Sequence, residues 1–145
     1  MRFVIQRVTR ASVRVDGKLE AEIGTGLLVL IGIAATDLPA QADYMAEKLI
    51  HLRVFPDDSG RMNRSALEVN ASLLLVSQFT LYGDCRKGRR PSFDDAAPVE
   101  LARELYEYVV TRVREKGLVT GMGVFQAHME VELVNDGPVT LLLES

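Results

Sequence analysis

A single cysteine, Cys85, is all that 145 residues provide, so no internal disulfide can form and a cytoplasmic location is expected. Histidine is nearly as scarce. His51 and His128 stand far apart, with neither an HExxH pattern nor a paired-cysteine spacing near them, so no metal site is expected. His51 reads as a helix C-terminal residue, where partial positive charge is favoured, and His128 as a strand residue at an edge or facing solvent. No G-x-S-x-G elbow announces a serine nucleophile. Long hydrophobic runs are missing too: Gly26 to Gly32 is far short of the ~20 apolar residues that span a bilayer. The N-terminal residues Met1 to Arg7 interrupt their apolar character with charge, so no secretory h-region is expected there. Nor is there a strong charge of one sign. A formal net charge of −3 gives no global attraction to nucleic acid, so any RNA contact must be local.

What is present is an ordinary globular balance, with 48% hydrophobic and 26% charged residues, in a length that suits one domain over residues 1–145. Val13 and Val15 alternate with polar neighbours, Asp16-Gly17 is a strong hairpin signal, and Lys18 to Ile23 alternates again. Leu27 to Ile33 is continuously apolar, which suits a strand covered on both faces. Pro39 opens a helix whose Ala42, Met45, Ala46, Leu49 and Ile50 share one face. Pro56 to Gly60 is turn chemistry, and Leu73 to Val76 is a second buried strand running into Ser77. A polar loop from Gly83 to about Ala97 follows. Another helix begins near Pro98, with Val99, Ala102, Leu105, Tyr106, Val109, Val110 and Val113 as its buried stripe and Gly117 as its stop. A strand from Val124 to Val134, a turn at Asn135 to Pro138 and a strand from Val139 to Leu143 close the chain. The expected architecture is α+β: a curved, mainly antiparallel, barrel-like sheet with two main helices packed on it.

Three segments carry candidate chemistry. Ser77-Gln78-Phe79-Thr80 lies where a buried strand emerges, a rigid place to hold hydroxyl and N–H donors toward a developing oxyanion. Local sequence fits equally well a serine and threonine that satisfy nearby backbone groups. In Asn135-Asp136-Gly137-Pro138, glycine lets another backbone or a ligand approach closely. A cis Gly-Pro bond would turn two carbonyls to one side as an acceptor pair for an ammonium group. From local sequence a plain turn with trans proline is the simpler reading. Arg86, Lys87, Arg89 and Arg90 place four cations within five positions. They form either a phosphate-contacting patch or a loop balanced by Asp84, Asp94 and Asp95. Cys85, beside this run, reads as an inert loop thiol.

Together these segments resemble the D-aminoacyl-tRNA deacylase family of bacterial and eukaryotic type. The likeness runs along essentially the whole chain, through Arg2-Phe3-Val4-Ile5-Gln6-Arg7-Val8, Gly26 to Gly32, Ser77-Gln78-Phe79-Thr80, Lys87 to Phe93 and Asn135-Asp136-Gly137-Pro138-Val139-Thr140. It implies a hydrolase that needs no cofactor and cleaves the ester of D-aminoacyl-tRNA, with glycyl-tRNA also admitted. It implies a homodimer in which a cis Gly137–Pro138 enters the partner's site and rejects L-amino acids. Ser77, Gln78, Phe79 and Thr80 would surround the ester, with Phe125 and Met129 lining the pocket for the terminal adenosine. Thr80, or water aided by the ribose 2′-hydroxyl, would attack. Gln126 departs from the resemblance, since glycine more often follows the phenylalanine. Two other functions fit the same residues: an RNA-binding module using Arg86 to Arg90, and a small-molecule esterase or phosphodiesterase.

Overall fold

The structure is a computed structural model that describes residues 1–145. Its organising element is β1 (Arg2–Val15), whose apolar residues change face partway along the strand. Phe3 and Ile5 point to one side of the sheet, whereas Val8, Ala11 and Val13 point to the other. Strict alternation would forbid this. Between Val8 and Arg10, β1 carries one extra residue opposite the Asn135–Val134 step of β8 (Glu130–Glu144), and this bulge switches the face. One long strand therefore supplies two cores.

After the Asp16-Gly17 turn, where both residues take positive φ as a tight hairpin requires, β2 (Lys18–Ile23) pairs antiparallel with the second half of β1. β3 (Gly26–Gly32) pairs antiparallel with the first half, and β8 lies along the other edge of β1. β6 (Ser72–Ser77) and β7 (Thr120–Met122) extend the sheet beyond β3 in parallel. The sheet curls until β2 lies against β6 and β7, which makes it nearly closed.

Leu27, Val29 and Ile31 of β3 and Leu73 and Leu75 of β6 face the larger core. Leu28, Leu74 and Val76 face the smaller core inside the curl. Burial on both faces explains the uninterrupted apolar runs. The larger core is roofed by α1 (Pro39–His51) and α2 (Val99–Arg114). All five apolar positions anticipated on α1 are buried. Asp43 of α1 ties the helices together, accepting from the Tyr108 hydroxyl at 3.0 Å and Arg112 Nε at 2.8 Å. A small hairpin of β4 (Arg53–Pro56) and β5 (Met62–Ser65) lies outside the main sheet. No helix is long and apolar enough to cross a membrane.

Three local expectations need correction. Val99 is 44% exposed and Ala102 only half-buried, because the first turn of α2 faces an open cleft instead of the core. Residues Val124 to Met129 form a loop, with Gln126 at φ +64°, and the final strand begins only at Glu130. Asn135 to Pro138 is not a hairpin turn between two strands. Both flanks belong to β8 and pair with β1, and the segment between them is extruded as a bulge. Where β1 advances from Gln6 to Val8, its partner runs from Thr140 back to Asn135.

Candidate active site

β6 leaves the sheet at Ser77, and the Gln78 N–H donates to the Ile31 carbonyl at 2.8 Å, so the chain exits in a fixed direction. It then turns through a short 3-10 helix, Phe79–Tyr82. Gly32 sits beneath this turn. A methyl group there would lie 3.0 Å from Leu81 Cβ and 3.3 Å from the Gln78 carbonyl, so a bare backbone lets the turn settle on β3. The Gln78 side-chain amide donates to the Thr80 hydroxyl, and the Phe79 ring meets Phe93 edge-on at 5.0 Å.

A cleft of about 530 Å³ opens at this strand end. Val76, Ser77, Gln78 and Phe79 form one side, and the 125–129 loop, including Phe125 and Met129, forms another. Ala96, Ala97, Val99 and Ala102, from the loop before α2 and its first turn, complete the wall together with Val131 of β8. Ten of the fourteen lining residues are hydrophobic, which suits a flat apolar group held by few polar contacts at one end. Phe125 is supported from below by Tyr106, with ring centroids 6.0 Å apart, and covered by the Arg103 guanidinium at 4.5 Å from its centroid. Arg103 also donates to Gln126 Oε1 at 3.2 Å. That bond draws the Gln126 side chain toward α2, although its backbone takes the left-handed conformation that glycine adopts most easily.

The cleft holds no preassembled acid–base pair. His128 lines it together with Ser77, yet no hydrogen bond joins them. Burial pushes the Tyr106 hydroxyl well above the usual tyrosine range, and its proton goes to the Leu75 carbonyl at 2.9 Å. Tyr82 is pushed up to about 12 by burial and by the charge of Asp37. Neither phenol can act as a phenolate near neutral pH. No three His, Cys, Asp or Glu side chains gather in a metal-binding arrangement.

Ser77, Gln78, Phe79, Phe125 and Met129 thus share one cleft, and Thr80 is bonded to Gln78 at its edge. Gly137 and Pro138 are not part of that wall. They are exposed at the crest of the β8 bulge, and their peptide bond is cis, as the resemblance implied and local sequence did not. The bulge is heavily braced. Asn135 Oδ1 accepts from the Val139 N–H at 2.7 Å, and Asn135 Nδ2 donates to the Val139 carbonyl at 3.0 Å. Arg7 Nε donates to the Asp136 carbonyl at 3.0 Å and lies 3.3 Å from Asp136 Oδ2, while Nη1 donates to the Val54 carbonyl at 2.6 Å. Sequence reading missed Arg7, Arg103 and the cleft position of His128. Their partners are distant in the chain, and no local spacing signals them.

The family profile described as D-Tyr-tRNA(Tyr) deacylase matches residues 4–144. A D-aminoacyl-tRNA deacylase of Koribacter versatilis is 58% identical over 145 residues, covering 100% of this chain and 97% of that protein. One from Pelobacter propionicus is 58% identical over 144 residues, covering 99% of each. Among solved structures, the c-Myc DNA Unwinding Element Binding Protein superposes with a TM-score of 0.94 at 42% identity, covering 100% of this chain and 99% of that one. A probable eukaryotic D-amino acid tRNA deacylase shares the fold, with a TM-score of 0.85 at 18% identity, covering 98% and 97%. A matching profile over nearly every residue, and relatives more than half identical along their full lengths, show that this chain belongs to the D-Tyr-tRNA(Tyr) deacylase family.

Proposed function

We propose that this chain is a D-aminoacyl-tRNA deacylase, a single-domain cytoplasmic hydrolase that frees D-amino acids from the 3′ end of transfer RNA. The observation that carries the reading is the cleft in which the Ser77–Phe79 strand end meets Phe125 and Met129. Family membership supports it independently. The terminal adenosine occupies the apolar part of the cleft, between Phe125 and Met129. Its ester lies against Ser77, Gln78, Phe79 and Thr80, whose hydroxyl, amide and N–H donors stabilise the oxyanion as it forms.

Water adds to the ester carbonyl carbon, and the bond to the ribose oxygen then breaks. The ribose 2′-hydroxyl relays the proton from water to that departing oxygen. The absence of a hydrogen-bonded acid–base pair in the cleft favours this route over nucleophilic attack by Thr80, since catalysis by positioning needs no titrating side chain.

Chirality is read by a second copy of the chain. Its Gly137–Pro138 crest enters the cleft, its main-chain carbonyls hold the substrate's amino group, and its bulk fills the space an L side chain would need. Glycine has no side chain to exclude, so glycyl-tRNA is also a substrate. Support for a homodimer comes from β8, which exposes Val131, Val134, Leu141 and Leu142 on the same strand as the braced crest.

The test sets D-tyrosyl-tRNA beside L-tyrosyl-tRNA. The proposed enzyme cleaves only the D ester. An RNA-binding module protects both, and a generic esterase cleaves both; either result rejects the reading. Thr80→Ala should keep much of the turnover, whereas a substrate ending in 2′-deoxyadenosine should be inert. Rapid cleavage of the deoxy ester would remove the 2′-hydroxyl from the mechanism.

A further inference from the structure

The loop between the 3-10 turn and α2 carries four cations whose purpose the cleft alone does not explain. Its base is closed by a pair of backbone hydrogen bonds between Asp84 and Ser92, at 2.7 and 3.0 Å. Beyond that closure nothing holds the tip. Arg86 folds back onto Asp84 with two side-chain bonds at 2.9 and 2.8 Å, and so is neutralised. Asp94 instead accepts from the Ser92 hydroxyl at 2.6 Å. No ion pair forms at Lys87, Arg89 or Arg90, all of which are exposed. Elsewhere most cations on the sheet and on α2 face a carboxylate, as Arg2 does Glu144, Arg10 does Glu132 and Arg112 does Asp43. Three unpaired positive charges within four positions, in a protein of net charge −3, make a local anion-seeking surface.

Its position relative to the cleft gives that surface a partner. Phe93 follows the closed base directly and packs on Phe79, and Ala96 and Ala97 further along the same loop line the cleft wall. A loop of this length can carry its tip no more than ~12 Å from its base. The cations are therefore tethered to a base whose next residue, Phe93, touches the cleft-lining Phe79, within reach of a polynucleotide strand whose last nucleoside is inside. We propose that Lys87, Arg89 and Arg90 bind the backbone phosphates of the RNA strand leading into the cleft, making the loop the site's RNA-docking arm. The proposal rests on the deacylase reading. It adds that affinity for the whole RNA and chemistry on its terminal ester reside in different residues. Contacts of this kind position the substrate without reading its sequence, so the arm serves any transfer RNA.

Steady-state hydrolysis of D-tyrosyl-tRNA and of D-tyrosyl-adenosine, across a range of salt concentrations, separates the two roles. The triple variant Lys87→Ala/Arg89→Ala/Arg90→Ala should raise KM for the tRNA about tenfold at low salt. The slope of log KM against log salt should fall by about 2, as three single-strand phosphate contacts imply. Its kcat, and its hydrolysis of D-tyrosyl-adenosine, should match the parent's. An unchanged KM and slope would overturn the proposal. So would an equal loss on D-tyrosyl-adenosine, which would mean that the loop shapes the cleft. An equal rise in KM from Arg61→Ala/Arg64→Ala, cations on the separate small hairpin, would show that the effect is not local to the arm. If the parent protein leaves D-tyrosyl-tRNA intact, the deacylase reading itself falls, a result distinct from an active parent with an indifferent variant.

Discussion

The two exposed segments to which the proposals assign roles are built on opposite plans. The Gly137–Pro138 crest is braced by side chains from β1 and from its own flanks: Arg7 reaches it and the Val54 carbonyl together, and Asn135 clasps Val139 on both its N–H and its carbonyl. The tip from Lys87 to Arg90 has no hydrogen bond to the rest of the molecule, and only its base is closed. A surface that discriminates by shape must keep its shape, because a displacement of about 1 Å can cost on the order of a hundredfold in rate. A surface that meets a phosphate backbone needs charge and access more than form. Rigidity is spent where geometry decides, and freedom is left where Coulomb attraction does.

The sharpest way to break the first plan is Gly137→Ala. At φ +145° an L residue is strained, and the added methyl would lie 2.7 Å from Val139 Cγ2 and 2.8 Å from the Val139 nitrogen. Turnover of D-tyrosyl-tRNA should fall a hundredfold or more, with circular dichroism showing the sheet intact; near-normal turnover would mean that the crest does not govern the site. Arg7→Ala comes next. It leaves the Asp136 and Val54 carbonyls without their donor and should cost about 2 kcal/mol, seen as a melting point several degrees lower. Arg7→Lys should fall between, since an ammonium cannot reproduce the fork that spans both carbonyls. Equal stability for all three proteins would show that the brace is ornamental. By contrast, the triple alanine variant of the arm should melt within about 0.5 kcal/mol of the parent, as expected where no contact is removed.

Much of the fold is legible in local sequence, and the illegible part has a common cause. The stripe on α1, the Asp16-Gly17 hairpin and the two doubly buried strands follow from spacing within a few residues, and each formed as read. The crest did not. Asn135 to Pro138 has every local mark of a hairpin turn, but β1 pairs with the chain on both sides of it, and that pairing joins residues more than a hundred positions apart. Val99 reads as core because it is apolar and in register, but the register only says that it faces inward, and inward there is the cleft. Ser77 to Phe79, Phe125 and Met129 were found together through resemblance. The Arg103 contact with Phe125 and Gln126, and the Arg7 brace, had no local pattern to betray them.

The smallest effect concerns what limits the freedom of the arm. Hydrogen bonds from the Arg86 side chain and backbone hold the Asp84 carboxyl at about 2, below the usual carboxylate range. Because the folded value is depressed, the contribution of this pair is complete above the ordinary Asp value near ~4 and is lost only as pH falls through about 2. The loop base should therefore be insensitive to pH across the whole neutral range. Carbon-detected NMR of the Asp84 carboxyl should show no titration until well below pH 4 in the parent. In Arg86→Ala the midpoint should rise toward ~4. A parent midpoint already near 4 would mean that Arg86 is not engaged, and the arm would then carry four free cations, not three.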